Sequence, residues 1–337
     1  MVPSLPIDDE FHIHSGLSLG DDMEIMSDLT DGRSGGIQYI SASPFEIPHM
    51  LQKMNEAPIH PVFGHLILPE SSADDADKQV PCVVACHGSR GWSDHHHDHI
   101  QNWVDAGIAV FRVHSFESRQ VADIVDNQMM VTHAMMLTDS FRALQLLQTH
   151  PRIDGSRIAI TGWSLGGTVA LYAAWSPIAE ALAPSGERFA AHLPFYPAAH
   201  MRPQEQRWSP APIQILHGTD DDWTPLHFVK ELAELIRPHG ANIEVQVYED
   251  SQHSFDSEMP LEWLPDAIRL DHRTVQIDAN GDLWAEKEPG DVIRLNEPAE
   301  RFAAFQYAQN IGCHAGGNPE AREHALKFST DFLLKTL

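Results

Sequence analysis

Gly162-Trp163-Ser164-Leu165-Gly166 sets a serine between two glycines, and Gly167 extends the run. A G-x-S-x-G string alone carries little weight, since an ordinary glycine-rich helix start can read the same. Here the apolar run RIAITGW leads directly into it and a small-residue segment, LGGTVALYAAW, follows. That is the pattern of a strand turning sharply into a helix. Such a turn strains the serine backbone and exposes its hydroxyl, and glycines flank it because side chains would strike the neighbouring strand and helix. The helix N-terminus adds partial positive charge beside the serine. The chemistry indicated is nucleophilic attack by Ser164 on an acyl carbon.

A serine hydroxyl needs a base within hydrogen-bond reach. The chain has 22 histidines, so position must decide among them. His253, in YEDSQHSFD, follows the last strong strand-like run, where a loop can bring it over the edge of a sheet. A carboxylate that holds the imidazole tautomer is expected between the two in sequence, because α/β-hydrolases use the order serine, acid, histidine. PIQILHGTDDDWTP satisfies that order and offers Asp220, Asp221 and Asp222; the run is also a solvated acidic turn, and position alone leaves the three open. Acyl transfer passes through an oxyanion that two backbone N–H groups should hold. Leu165, next to the nucleophile, supplies one. The loop His87-Gly88-Ser89-Arg90-Gly91-Trp92 supplies the other, from the Ser89 amide or, as the neighbouring alternative, from Arg90.

These residues need a scaffold that gathers them at one edge. PVFGHLILP (61–69), VPCVVACHG (80–88), GIAVFRVHS (107–115), RIAITGWS (157–164), RFAAHLPFYP (188–197), PIQILHG (212–218) and NIEVQVYED (242–250) read as strands. Helix-length segments separate them, including 129–150, which Pro151 stops. The polar SSADDADKQ reads as a turn between the first two strands. Continuous apolar strands alternating with helices predict an α/β fold: a mainly parallel twisted sheet, helices on both faces and no large cap domain. Each motif falls at a carboxyl end of a strand, where such sheets bind ligands. The expected organisation is an irregular leader over 1–57 and one catalytic domain over 58–337, with an insertion at about 257–318. That insertion holds TVQIDANGDLWAE, spaced as a hairpin; lining the site entrance and mediating homodimer contacts are both open to it.

Taken together, HGSRGW (87–92), GIAVFRVHSFESR (107–119), RIAITGWSLGG (157–167), LHGTDDDWTP (216–225), YEDSQHSFD (248–256) and GGNPEAREHALKFSTDFL (316–333) resemble the dienelactone hydrolase family of α/β-hydrolases. In the family pattern a glycine is followed by two residues and then the acid, with a proline four further on, which fits Gly218, Asp221 and Pro225. The resemblance therefore implies Ser164, Asp221 and His253 as a catalytic triad. The founding enzymes use a cysteine nucleophile, whereas this chain has Ser164, which favours general carboxylic-ester hydrolysis over dienelactone itself. Lactone hydrolysis is the nearest alternative; a serine peptidase and a non-catalytic binding protein stand further off. His114 occupies a position where related sequences often carry Asp, while Phe116 and Arg119 fit, Arg119 as a structural ion-pair partner. No cofactor is implied.

Composition narrows the partners. With 22 basic and 48 acidic residues the formal net charge is -26, which repels phosphate backbones and anionic lipid. The expected partner is a small-molecule ester, not nucleic acid or membrane. The start of the chain shows no signal-peptide pattern and no apolar run approaches 18 residues, so a cytoplasmic location is expected. Cys82 and Cys86 would share one face of a strand roughly 13 Å apart, beyond disulfide reach. Asp94-His95-His96-His97-Asp98-His99 holds ligand residue types, but the run opens a helix behind the oxyanion loop and no metal is assigned to it. Trp92, Trp163 and Trp223 adjoin the motifs as pocket walls or as packing. The interval AAHMRPQEQRWSPA (198–211) is too short for an apolar cap, so short acyl chains are expected.

Overall fold

The computed structural model describes residues 23–70, 78–270 and 273–337. Residues 71–77 of the expected SSADDADKQ turn, and the first part of the expected leader, lie outside the described residues. From Met23 onward the leader is not irregular. Strand β1 (Ile25–Met26) pairs with β2 (Gly35–Ala42), and helix α1 (Ile47–Gln52) follows. β2 runs antiparallel to β3 (Ile59–Ile67), paired from Ile59 to Leu66, so this segment belongs to the main sheet. Its alternation in GGIQYISA buries Ile37 and Tyr39 on one face, a two-residue period hidden by the surrounding Gly and Ser.

The rest of the body alternates as expected: β4 (Val80–Cys86), α2 (Asp94–Asp105), β5 (Ala109–Val113), α3 (His133–Leu147), β6 (Ile153–Trp163), α4 (Leu165–Tyr172), α5 (Ser176–Leu182) and β7 (Ala191–Phe195). A short β8 (Met201–Pro203) precedes β9 (Ile213–Gly218), α6 (Leu226–Ile236) and β10 (Ile243–Tyr248). The nine-stranded sheet has the order β1-β2-β3-β5-β4-β6-β7-β9-β10. It is parallel except where β3 meets β2 and β5. Its central strands are buried on both faces. Cys82, Val84 and Cys86 of β4 join the core under α3 and α4, while Val83 and Ala85 join the core under α2, the alternation a strand requires. Cys82 and Cys86 are free thiols on the same face.

After β10 the chain builds the insertion: β11 (Glu262–Leu270), β12 (Val275–Ile277), β13 (Leu283–Glu288), β14 (Asp291–Arg294), α7 (Pro298–Ala308) and β15 (Gln309–Ala315). β12 and β13 form the expected hairpin. β12 also pairs in parallel with β8, Val275 opposite Met201, so the short 198–211 connection serves as the dock for the insertion. β11 and β15 form a separate antiparallel pair. Helix α8 (Pro319–Thr336) closes the chain against α2. Among the described residues no helix is long and apolar enough to cross a membrane.

Candidate active site

Ser164 lies between the end of β6 and the start of α4 with φ 55 and ψ -111, a backbone conformation that an L residue adopts only under constraint. The constraint is visible on both sides. A Cβ on Gly162 would come within 2.3 Å of the Gly166 backbone, and one on Gly166 within 2.2 Å of the Cys86 carbonyl oxygen. The Ser164 N–H donates to the Phe195 carbonyl at 3.0 Å, tying the turn to the end of β7.

His253 reaches this serine from the loop after β10. Its Nε2 lies 2.9 Å from Ser164 Oγ and its Nδ1 lies 2.8 Å from Asp221 Oδ2. All three groups are buried. Asp221 follows β9, and its other oxygen accepts the backbone N–H groups of Trp223 at 3.0 Å and Thr224 at 2.8 Å. Burial opposes ionisation of Asp221, but His253 and the Thr224 N–H outweigh it and lower the pKa. An ionised Asp221 requires the proton on Nδ1, which leaves Nε2 free to accept the Ser164 hydroxyl.

The neighbouring aspartates do other things. Asp222 accepts the His314 N–H and faces His314 Nδ1, both at 2.8 Å, and so pins β15. Asp220 is exposed, and its carboxylate accepts from Thr219. Ser89 and Leu165 line one cavity with Ser164. Leu165 opens α4, so its N–H has no partner within the helix. The Ser89 loop is held by a Gly91 N–H to Gly88 carbonyl bond of 3.1 Å and by Ile124, whose N–H donates to the Ser89 carbonyl at 2.9 Å. The Arg90 side chain turns outward to Glu262.

Other expectations resolve by contact. Arg119 binds Asp139 through both terminal nitrogens, at 2.8 and 3.1 Å, a buried ion pair remote from Ser164 in its contacts. Trp163 is core, stacked on His96, Trp103 and Phe195. Trp223 is a wall: it lines the cavity and its ring lies 4.7 Å from that of His253. Within the histidine run, His99 Nε2 faces Asp256 at 3.2 Å and His95 Nε2 faces the Tyr196 hydroxyl at 3.3 Å. The insertion lines the site: Ile268, Val275, Leu283, Leu295 and Phe305 complete the cavity beside Ser164, about 110 Å³ in volume.

Three residues at the site escaped the sequence reading. Thr224 Oγ lies 3.0 Å from Asp221 Oδ2 and 3.1 Å from His253 Nδ1. Asp256, fully buried, accepts from Trp163 Nε1 at 3.0 Å and from the Tyr196 hydroxyl at 2.8 Å, as well as facing His99. Burial resists its ionisation, yet the His95, His99 and Tyr196 contacts hold its pKa down at about 2. Tyr196 packs edge-on against His253 at 4.7 Å. Thr224, Tyr196 and Asp256 lie within LHGTDDDWTP, RFAAHLPFYP and YEDSQHSFD, yet no local pattern in those segments marks them as partners in one buried cluster.

The family model described as Dienelactone hydrolase family matches residues 69–269. No curated protein matches the chain. Among solved structures, apo esterase 2 of Thermogutta terrifontis is 17% identical, with 58% of this chain and 80% of that one covered at a TM-score of 0.46. Its propionate-bound form is 16% identical with the same coverage and score. A Klebsiella pneumoniae subsp. pneumoniae protein provisionally named dienelactone hydrolase is 19% identical, with 66% and 88% covered at a TM-score of 0.44.

Proposed function

The chain belongs to the dienelactone hydrolase family, and from that premise we propose that it is a serine carboxylic-ester hydrolase acting on small, short-chain esters through an acyl-enzyme. Ser164 Oγ attacks the ester carbonyl carbon while its proton passes to His253 Nε2. Asp221 holds the imidazole and stabilises the imidazolium that forms. The Leu165 and Ser89 amides hold the oxyanion. His253 then gives the proton to the departing alcohol and takes another from water, whose oxygen attacks the acyl carbon; the bond to Ser164 Oγ breaks, the acid leaves and His253 returns the proton to Oγ.

The observation that carries this reading is the unbroken pair of hydrogen bonds, 2.9 Å from Ser164 to His253 and 2.8 Å from His253 to Asp221. The bounded cavity beside Ser164, with Trp223 and the insertion as walls, supports a small acyl group. Family membership keeps lactone hydrolysis as the second reading, since the same groups would open a ring. Fluorophosphonate labelling of Ser164, followed by turnover of an ester and lactone panel, tests both. Absence of labelling in folded protein refutes the nucleophile, and faster turnover of lactones than of every open ester replaces the first reading by the second.

A further inference from the structure

The cavity beside Ser164 has an unusual lining for so acidic a chain. Among the described residues no Asp or Glu lines it, whereas Arg269 and Arg301 both do, in a protein of net charge -26. Arg301, from the first turn of α7, is 8% exposed. Its Nη2 faces Glu46 at 2.6 Å, and its guanidinium lies over the rings of Phe45 at 5.3 Å and Phe305 at 5.9 Å. Glu46 sits behind it, held in place by the Ile47 N–H at 2.9 Å and by His133 at 2.8 Å. The Nε and Nη1 atoms of Arg301 are buried and have no hydrogen-bond partner among the described residues. Leaving donors of a buried cation unused is costly unless a ligand supplies the acceptor.

We propose that Arg301 forms a subsite for a carboxylate at the far end of the substrate's acyl chain, so that the preferred substrates are half-esters of short dicarboxylic acids. This rests on the ester-hydrolase reading of Ser164. Two compartments flank that serine. The acyl part stays on Ser164 after the alcohol has left, so it takes the more enclosed one, which holds Arg301. The smaller and more open one, lined by Gly91, His96 and Met259, lets the alcohol depart. Glu46, Leu283, Arg301 and Phe305 all lie outside residues 69–269, the segment that matches the family. These parts of the subsite therefore come from outside the segment that the family model matches.

The test compares monomethyl glutarate with methyl pentanoate, equal in chain length and differing in the terminal carboxylate, by pH-stat on the full chain. The expected kcat/KM favours the half-ester at least tenfold, against the overall repulsion between an acidic protein and an anion. Arg301→Gln should bring the ratio below one, and Arg301→Lys should keep part of it; a ratio taken within one preparation does not depend on how much of a variant folds. A wild-type ratio at or below one overturns the subsite while leaving ester hydrolysis intact. Turnover of neither ester removes the hydrolase reading instead. Calorimetry on Ser164→Ala protein with monomethyl glutarate then judges the subsite separately. Binding that Arg301→Gln weakens tenfold or more upholds it, and no binding, or binding indifferent to that change, overturns it.

Discussion

Asp221→Asn offers a sharp test of the site because the surrounding donors dictate how the amide must sit. Asp221 Oδ1 accepts two backbone N–H groups, at 3.0 and 2.8 Å from Trp223 and Thr224. An asparagine must keep its carbonyl oxygen there, since an amide NH2 would face two donors. Its NH2 group is then forced toward His253 Nδ1, 2.8 Å away in the parent. That nitrogen becomes an acceptor, the ring proton moves to Nε2, and Nε2–H now points at Ser164 Oγ instead of accepting from it. The fold keeps all its contacts and the base is lost. Inverting this tautomer in a serine triad costs about 10⁴ in kcat, or ~5.4 kcal/mol of barrier. Asp222→Asn removes only part of the clamp on His314, whose side chain is 44% exposed, and should cost less than about tenfold. The assay is kcat on a short-chain p-nitrophenyl ester with the melting temperature measured in parallel. A loss smaller than tenfold in well-folded Asp221→Asn, or a larger loss in Asp222→Asn, would refute the tautomer argument.

Ser164→Ala should lower kcat by on the order of 10⁶ and abolish fluorophosphonate labelling; more than a few per cent residual turnover in a clean preparation counts against the assignment. Across p-nitrophenyl esters of two to twelve carbons, kcat/KM should peak at four carbons or fewer, because the insertion walls bound the cavity; a peak at eight or beyond would show that the walls yield. Glu46 and Asp256 are both held at about 2, below their ordinary 4.5 and 3.8. Depressed carboxylate pKa values add stability above the ordinary range and lose it as pH falls through the folded values, so urea midpoints should drop steeply from pH 4.5 toward pH 2, and equal midpoints at pH 5 and pH 3 would contradict this. Asp256→Asn should lower stability at pH 7 by about 3 kcal/mol, read as a fall in urea midpoint at constant slope.

The central sheet was legible because β4 to β10 are continuous apolar runs separated by helices, and burial on both faces demands that text. Ser164 and His253 were legible because each stands just past such a run. β2 was not: GGIQYISA hides its two-residue period behind small residues, and its strand character comes from eight consecutive pairings with β3. Asp221 could be chosen over its neighbours only through the family spacing, since the difference among three adjacent carboxylates lies in which way each side chain leaves a turn. Thr224, Tyr196 and Asp256 are far apart in sequence and acquire meaning only where three loops converge. The docking of β12 on β8 joins residues more than seventy positions apart, and no local pattern marks it.

Where the insertion leaves the body and where it returns have a practical consequence. Gly317 N–H bonds the Met259 carbonyl at 2.8 Å, a Cβ on Gly317 would lie 1.9 Å from the Ser257 carbonyl oxygen, and Gly316 N–H bonds the His253 carbonyl at 2.9 Å. Exit and re-entry are thus adjacent, so roughly sixty residues form a cassette spliced into the chain at one point. Ser164, His253 and Asp221 all lie on one side of that splice, and Arg301 with Phe305 lies on the other, reaching back to Phe45 and Glu46 of the body. On the proposed reading, an exchange of cassettes at this junction would alter the far wall of the cavity while leaving Ser164, His253 and Asp221 in the body, provided that the new cassette keeps the seat on β8.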